Sequence, residues 1–197
     1  MSNEQNIARR IPRSKKLIRT VLIKLLNEKS IEEITVADIT TKADISRGTF
    51  YLHYQDKYDL IEKTEQEILN EVENIGGLVR KAILHSSKVQ ETEERVLRLF
   101  EYVALNAAIM QALLGPTGNL TFQVKLKKLI KNIYLSGLIG NQTLVPAEYL
   151  SSYIASAHLG VLQEWLDTGL KESPSEMAKI ISKTTIFGPA SVVGGEE

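Results

Sequence analysis

The sequence predicts an all-α protein, and three observations carry that prediction. Apolar residues recur at helical spacing in every periodic segment, and no segment alternates apolar and polar residues as a half-buried strand does. The breaks at residues 115–118, 140–142 and 173–174 consist of turn-forming residues. The 197 residues suffice for a sizeable core, and the absence of cysteine excludes disulfides and thiolate metal sites.

The first predicted helix, residues 14–29, has one apolar and one basic face. Its apolar positions follow a spacing of three and four residues: Leu17, Ile18, Val21, Leu22, Leu25 and Leu26. The opposite face carries Lys15, Lys16, Arg19 and Lys24, a pattern that by itself is typical of a solvated helix surface. Residues 1–57 have 11 basic and 7 acidic side chains, whereas the rest has 13 and 17. This asymmetry is expected if only the first part faces a polyanion.

Three helix start signals follow at short intervals. Thr35 and Asp38 fit a capping box at the start of a helix over residues 36–43. Ser46 is placed to cap a second helix, residues 47–54, after a turn at 44–45, and Asp56 is placed to cap a third that runs to about residue 74. Two short helices joined by a tight turn predict a helix-turn-helix over residues 35–57, whose second helix enters the major groove of DNA.

The second helix of this motif has the residues that DNA contact requires. Phe50 can pack on Val36 and Ile39, while the other positions are polar or small: Arg47, Gly48, Thr49, Tyr51 and His53. Arg47 is the predicted base reader, because a guanidinium bonds guanine O6 and N7 together, for about 1–3 kcal/mol of discrimination. His53 could instead be a solvated surface residue.

These residues resemble the TetR family of regulators over about residues 13–61. The resemblance rests on Ile34–Val36, Ile39, Lys57 and the run Ser46-Arg47-Gly48-Thr49-Phe50-Tyr51-Leu52-His53-Tyr54. It implies DNA contacts at Thr35, Arg47, Thr49, Tyr51, His53, Tyr54 and Lys57, with phosphate-binding roles for Thr35, Tyr51 and Lys57. Tyr54 could alternatively pack in the core.

The remainder of the chain is predicted to form a second helical region. Gly76 and Gly77 indicate the end of the connecting helix, and further helices are predicted over residues 78–85, 93–114, 120–138, 146–171 and 175–186. We expect a DNA-binding domain over residues 1–56, a ligand-binding and dimerisation domain over 57–187, and a disordered tail over 188–197. Candidates for an effector pocket are aromatic, Met and His residues that could equally be core: Phe100, Met110, Phe122, Tyr134, Tyr153 and His158.

The segment 146–171 is apolar nearly all round, and such a helix must be buried. Its small residues, including Ala157 and Gly160, favour a subunit interface in which it pairs with the segment 175–186; a central helix of a monomeric core is the alternative. Residues 160–165, Gly169, Ser173–Pro174 and 176–178 look like the C-terminal domain of a TetR subgroup that includes regulators of dihydroxyacetone kinase operons.

Together these features predict a cytoplasmic homodimer that binds a palindromic double-stranded operator, acts as a repressor, and responds to a small-molecule effector. The alternative is a C-terminal domain that responds to a protein partner. No nucleotide loop, nucleophile elbow or metal-ligand cluster is present in the sequence, so we expect no enzyme activity, cofactor, metal or membrane association.

Overall fold

The computed structural model describes residues 3–26, 28–85, 89–115, 119–138 and 143–189, with side chains left out for 3–12, 78–85 and 89–92. The predicted turns at 116–118 and 140–142 and the tail from residue 190 lie outside the described residues. In the described part every regular element is a helix, which confirms the all-α prediction. The helices are α1 (Asn3–Leu26), α2 (Val36–Lys42), α3 (Arg47–Tyr51), α4 (Lys57–His85), α5 (Val89–Leu105), α6 (Ala107–Leu114), α7 (Leu120–Leu138), α8 (Ala147–Asp167) and α9 (Pro174–Phe187).

The chain divides into two compact units, Met1–Ile68 and Leu69–Glu197. The expected boundary at residue 57 differs from this division by about three turns of helix. The start of α4 belongs to the first unit because Leu60 and Ile61 are buried in the same cluster as the apolar face of α1.

The core of the first unit is built around a fully buried phenylalanine. Phe50 of α3 is 0% exposed and lies in one cluster with Ile39 of α2 and Leu22 of α1. Val36 packs against this cluster, as the hydrophobic bridge between the two short helices predicts. The core therefore holds α3 by its apolar side and leaves its other side to solvent.

The second unit is a helical bundle in which α5 packs on α9 and α7 packs on α8, while α6 contacts both α7 and α8. The predicted bounds of α7 agree with the structure at both ends. Ser173 and Glu176 form a capping box at the start of α9. Trp165 of α8 is 2% exposed, and its ring meets Phe100 of α5 edge-on at 5.2 Å.

Two helix predictions in this unit are wrong. Gly76 and Gly77 do not end the connecting helix, because α4 continues through them to His85. The predicted single helix 93–114 is broken at Asn106, where α5 and α6 meet at a bend of 87°. The Asn106 amide hydrogen-bonds the Tyr102 carbonyl at 2.8 Å and so helps to close the end of α5.

Within the described ranges, no single helix is long and apolar enough to cross a membrane; α5 and α6 meet that test only as a bent pair.

Candidate nucleic-acid interface

The start of α2 is closed by the predicted capping box. The Thr35 hydroxyl accepts from the Asp38 amide at 3.1 Å, and the Asp38 carboxylate accepts from the Thr35 amide at 2.8 Å. Lys29 adds an ion pair to that carboxylate at 2.7 Å. The Lys29 and Thr35 hydrogen bonds lower the pKa of Asp38 to about 2, so the cap stays ionised at physiological pH. The exposed Thr35 is thus held in place at the N-terminus of α2.

The turn before α3 is tight and also capped. Asp44 has φ of 50°, a left-handed conformation that Asp tolerates better than most residues. The Ser46 hydroxyl accepts from the Thr49 amide at 3.0 Å and lies 2.9 Å from the Thr49 hydroxyl. This cap fixes the N-terminal turn of α3, the part of a recognition helix that reads base edges.

The solvent side of α3 carries most of the predicted contact residues. Arg47 and Gly48 are exposed, Thr49 is half-buried, and Tyr51 is 56% exposed. No described residue forms a hydrogen bond or ion pair with the Arg47 side chain, so its guanidinium is available to an external acceptor. A free guanidinium, an exposed phenol and a hydroxyl on one short helix can bind base edges and phosphates together.

Tyr54 is a correction to the predicted site. It is 3% exposed, and its ring packs on Phe50 at 5.7 Å between centroids. Burial, as the largest cause, raises the pKa of Tyr54 to about 12. Tyr51 and Tyr54 are three residues apart in sequence. The Tyr51 side chain is exposed to solvent, whereas the Tyr54 side chain lies in the core.

His53 connects the recognition segment to α1. Its Nε2 atom lies 2.7 Å from the Ser14 hydroxyl, and its backbone carbonyl accepts from the Lys63 ammonium at 3.2 Å. Partial burial, reinforced by the nearby Lys15, lowers the pKa of His53. The imidazole is therefore neutral at physiological pH, and it joins the segment after α3 to Ser14 of α1.

The Lys57 side chain is engaged by backbone groups of its own chain. Its ammonium donates to the backbone carbonyls of Ile31 at 3.0 Å and Glu32 at 2.6 Å, which fastens the loop after α1 to the start of α4. The predicted cap of α4 is present, because Asp56 accepts from the Tyr58 amide at 2.8 Å and the Asp59 amide at 2.9 Å. The phosphate role that the resemblance implies for Lys57 would compete with its two carbonyl contacts.

The basic face of α1 is partly neutralised. Lys15 and Arg19 both pair with Glu67 of α4, at 2.8 and 3.3 Å. Lys16 is exposed and lies outside that pair. Charge type alone therefore overestimates the cationic surface that α1 presents.

Two exposed residues, one within the motif and one directly after it, were absent from the predicted site. Leu52, directly after α3, is 79% exposed, and Tyr58, in the first turn of α4, is 62% exposed. A leucine on a helix-turn-helix is normally assigned to the core, so only its position after the end of α3 could have indicated exposure. For Tyr58, the sequence signal for exposure was its position in the first turn of α4, directly after the Asp56 cap.

The second unit contains a small apolar cavity, and three of the six predicted pocket residues line it. Phe100, Tyr134 and His158 belong to its wall. Met110 and Phe122 are buried without lining it, and Tyr153 is 56% exposed on α8. The described residues contain no group of His, Asp or Glu side chains that could hold a metal ion.

One face of α8 is exposed to solvent in the single chain. Tyr149 and Tyr153 are 75% and 56% exposed, and Ala157 and Gly160 continue the same exposed stripe. A Cβ atom added at Gly160 would meet no atom within 4 Å. The neighbouring α9 exposes further apolar side chains, among them Ile186 and Phe187.

Comparison with known proteins agrees with this geometry. Residues 18–64 match the model for bacterial regulatory proteins of the tetR family, and residues 90–186 match a transcriptional regulator C-terminal region. The chain is 27% identical over 179 residues to the uncharacterized HTH-type transcriptional regulator YxbF of Bacillus subtilis, covering 89% of this chain and 45% of YxbF. This chain thus spans less than half the length of that relative.

Solved structures share the fold. The dihydroxyacetone kinase operon activator DhaS superposes with a TM-score of 0.62 at 17% identity, covering 88% of this chain and 94% of DhaS. The regulator FadR from Bacillus subtilis, solved in complex with stearoyl-CoA, gives a TM-score of 0.64 at 17% identity, covering 88% and 98%. At these identities the likeness establishes the fold alone.

Proposed function

Because the chain belongs to the TetR family of bacterial regulators, which are non-enzymatic DNA-binding proteins, we propose that it is a homodimeric repressor that binds a palindromic operator. The observation that carries this proposal is the solvent side of α3, where Arg47 has no partner among the described residues. As a regulator of transcription, it is proposed to work in the cytoplasm.

In the proposed complex, Arg47 reads a guanine, and Thr49 contacts a neighbouring base edge or phosphate. Thr35 and Tyr51, both exposed, bind phosphates on either side. Gly48 leaves room for close approach of the backbone. We assign Lys57 and His53 to positioning roles, because the Lys57 ammonium and the His53 imidazole already contact the protein.

The homodimer is proposed to form through α8 and α9. Several exposed apolar and aromatic side chains on two helices, as on α8 and α9, are the kind of surface that marks an interaction site. Gly160 is not required by the packing of its own chain, since a Cβ atom there would meet open space. Close approach of a second copy explains a glycine in the middle of a 21-residue helix, where it costs helix stability relative to alanine.

Replacing Gly160 tests the dimer. Gly160→Glu should convert the dimer to a monomer in sedimentation velocity without lowering helix content, because its own chain has space for the side chain. Asn132→Glu, an exposed position on α7, is the matched control and should remain dimeric. Dimers that persist in Gly160→Glu would exclude α8 from the interface.

A small-molecule effector is proposed as the signal. The apolar cavity of the second unit supports this form over a protein partner, and α4, which contributes Val72 and Gly76 to the cavity wall, also begins at the DNA-binding motif. A coupling of about 1–3 kcal/mol along such a path would change operator affinity roughly 5- to 150-fold.

DNA binding is tested by fluorescence anisotropy with the intergenic DNA that flanks the reading frame. We expect a specific fragment to bind at least a thousandfold more tightly than shuffled DNA of equal length, as specific sites typically do. Equal affinity for both at every salt concentration would refute the proposed operator. Deletion of the gene should raise transcription of the regulated neighbour; a fall would make the protein an activator.

A further inference from the structure

The cavity of the second unit has an almost uniformly apolar wall. It measures about 60 Å³ and lies between α4, α5, α7, α8 and α9. None of its lining residues is Lys, Arg, Asp or Glu, and the polar side chains in the wall are Tyr134 and His158. A charged molecule placed there would lose its hydration without gaining a counter-ion.

The two polar side chains lie together. The rings of Tyr134 and His158 meet edge-on with centroids 5.2 Å apart. His158 uses Nε2 to contact the Thr185 hydroxyl at 2.8 Å, which leaves Nδ1 without a partner among the described residues. The Tyr134 hydroxyl likewise has no hydrogen bond to any described residue. Tyr134 as a residue is largely buried, with 9% of its surface exposed. The Tyr134 hydroxyl is therefore available to hydrogen-bond a molecule in the cavity.

The size of the cavity limits the occupant. A water-sized group needs only about 10–15 Å³, so a cavity of about 60 Å³ suits a molecule of a few non-hydrogen atoms. A long acyl chain of the kind bound by FadR exceeds this space.

We propose that this cavity binds a small uncharged alcohol or ketone, whose apolar body fills the space and whose oxygen hydrogen-bonds Tyr134 or His158. Burial lowers the pKa of His158 to about 4, so at neutral pH the imidazole is an uncharged hydrogen-bonding group and attracts no anion. Calling this ligand an effector rests on the proposed regulatory function, whereas the prediction that it binds in the cavity does not.

Gly76 is the residue that we infer sets the size limit. A Cβ atom at Gly76 would lie 2.3 Å from Cδ1 and 3.2 Å from Cγ1 of Ile133, which also lines the cavity. Any side chain there must displace the end of Ile133. The adjacent Gly77 provides a matched control, since a Cβ atom at Gly77 would meet nothing within 4 Å.

The test measures binding to the full chain in the absence of DNA, so that it stays separate from operator recognition. The probes are 2-butanone and 1-butanol, with butyrate and butylamine as charged counterparts. Trp165 is the only tryptophan of the chain, and its ring touches Phe100 in the cavity wall, so its fluorescence reports occupancy.

We expect saturable binding of the two neutral probes and none of the charged ones. Gly76→Ala should weaken 2-butanone binding at least tenfold, while Gly77→Ala should leave it unchanged. Tyr134→Phe keeps the volume and removes the hydroxyl, so it should weaken 1-butanol binding and serves as the second variant if Gly76→Ala fails to fold. Three results would overturn the proposal. They are equal binding of butyrate and 1-butanol, no saturable binding of either neutral probe, and equal effects of Gly76→Ala and Gly77→Ala. Operator affinity is measured in a separate assay, so none of these results bears on the proposed DNA binding.

Discussion

Arg47→Ala is the substitution that should separate DNA reading from folding most cleanly. Arg47 is exposed, begins α3, and has no hydrogen bond or ion pair with a described residue. Its loss should therefore change the free energy of unfolding by no more than about 0.5 kcal/mol. In the complex, each Arg–guanine pair contributes about 1–3 kcal/mol of discrimination. Two subunits then lose about 2–6 kcal/mol, or roughly 30-fold to 20,000-fold in operator affinity.

The assay is anisotropy with operator and shuffled DNA at several salt concentrations. We expect Arg47→Ala to weaken operator binding by that factor while binding to shuffled DNA changes little. Lys128→Ala, an exposed change of the same charge on α7 in the second unit, should leave both affinities unchanged. If Arg47→Ala weakened operator and shuffled DNA equally, Arg47 would be a phosphate contact and the assignment of the base reader would be wrong.

Three further substitutions test the account of stability. Phe50→Ala should destabilise the first unit by about 3–5 kcal/mol, because the ring is 0% exposed in its core, and hydrogen exchange of that unit should show it; a loss under 1 kcal/mol would contradict this packing. Ser173→Ala removes the cap of α9 and should cost about 0.5–2 kcal/mol in chemical denaturation, whereas an unchanged midpoint would mean that the cap is dispensable. The lowered pKa of His158, about 4 against an ordinary 6.5, means that the unfolded chain binds a proton below pH 6.5 while the folded chain does not. Stability should therefore fall as pH drops from 6.5 toward 4, and His158→Gln should reduce this dependence in denaturation curves; an identical pH profile would refute it.

Local signals predicted the motif well because the interactions that form it are local. The capping box of Thr35 and Asp38 and the cap at Ser46 each join residues three apart in sequence, and both are present in the structure. The bounds of α7 follow from continuous helical spacing. The family resemblance of residues 13–61 is confirmed for the same reason, since it rests on this contiguous segment.

Features that depend on packing could not be predicted. Gly76 resembles a helix end in the sequence, yet in the structure it is the residue that lets α4 pass close to Ile133. Tyr51 and Tyr54 are the same residue type in the same motif, and both rings lie against Phe50, at 5.5 and 5.7 Å between centroids. Tyr54 is nevertheless 3% exposed and Tyr51 56% exposed.

Lys57 and the cavity illustrate the same limit. The two carbonyls that bind Lys57 lie 25 and 26 residues away in sequence, so no local pattern indicates them. The cavity draws on five helices, which explains why choosing aromatic residues by type recovered Phe100, Tyr134 and His158 together with three residues outside it.

A footprint of the full chain on the intergenic DNA that flanks its reading frame tests the central claim most directly. Binding by a dimer through α3 predicts two protected half-sites whose centres lie about 34–36 Å apart, related by an inverted repeat, with protection lost in Arg47→Ala at the same protein concentration. Uniform weak protection that fades with salt, or discrete protection that Arg47→Ala leaves intact, would contradict recognition through this helix.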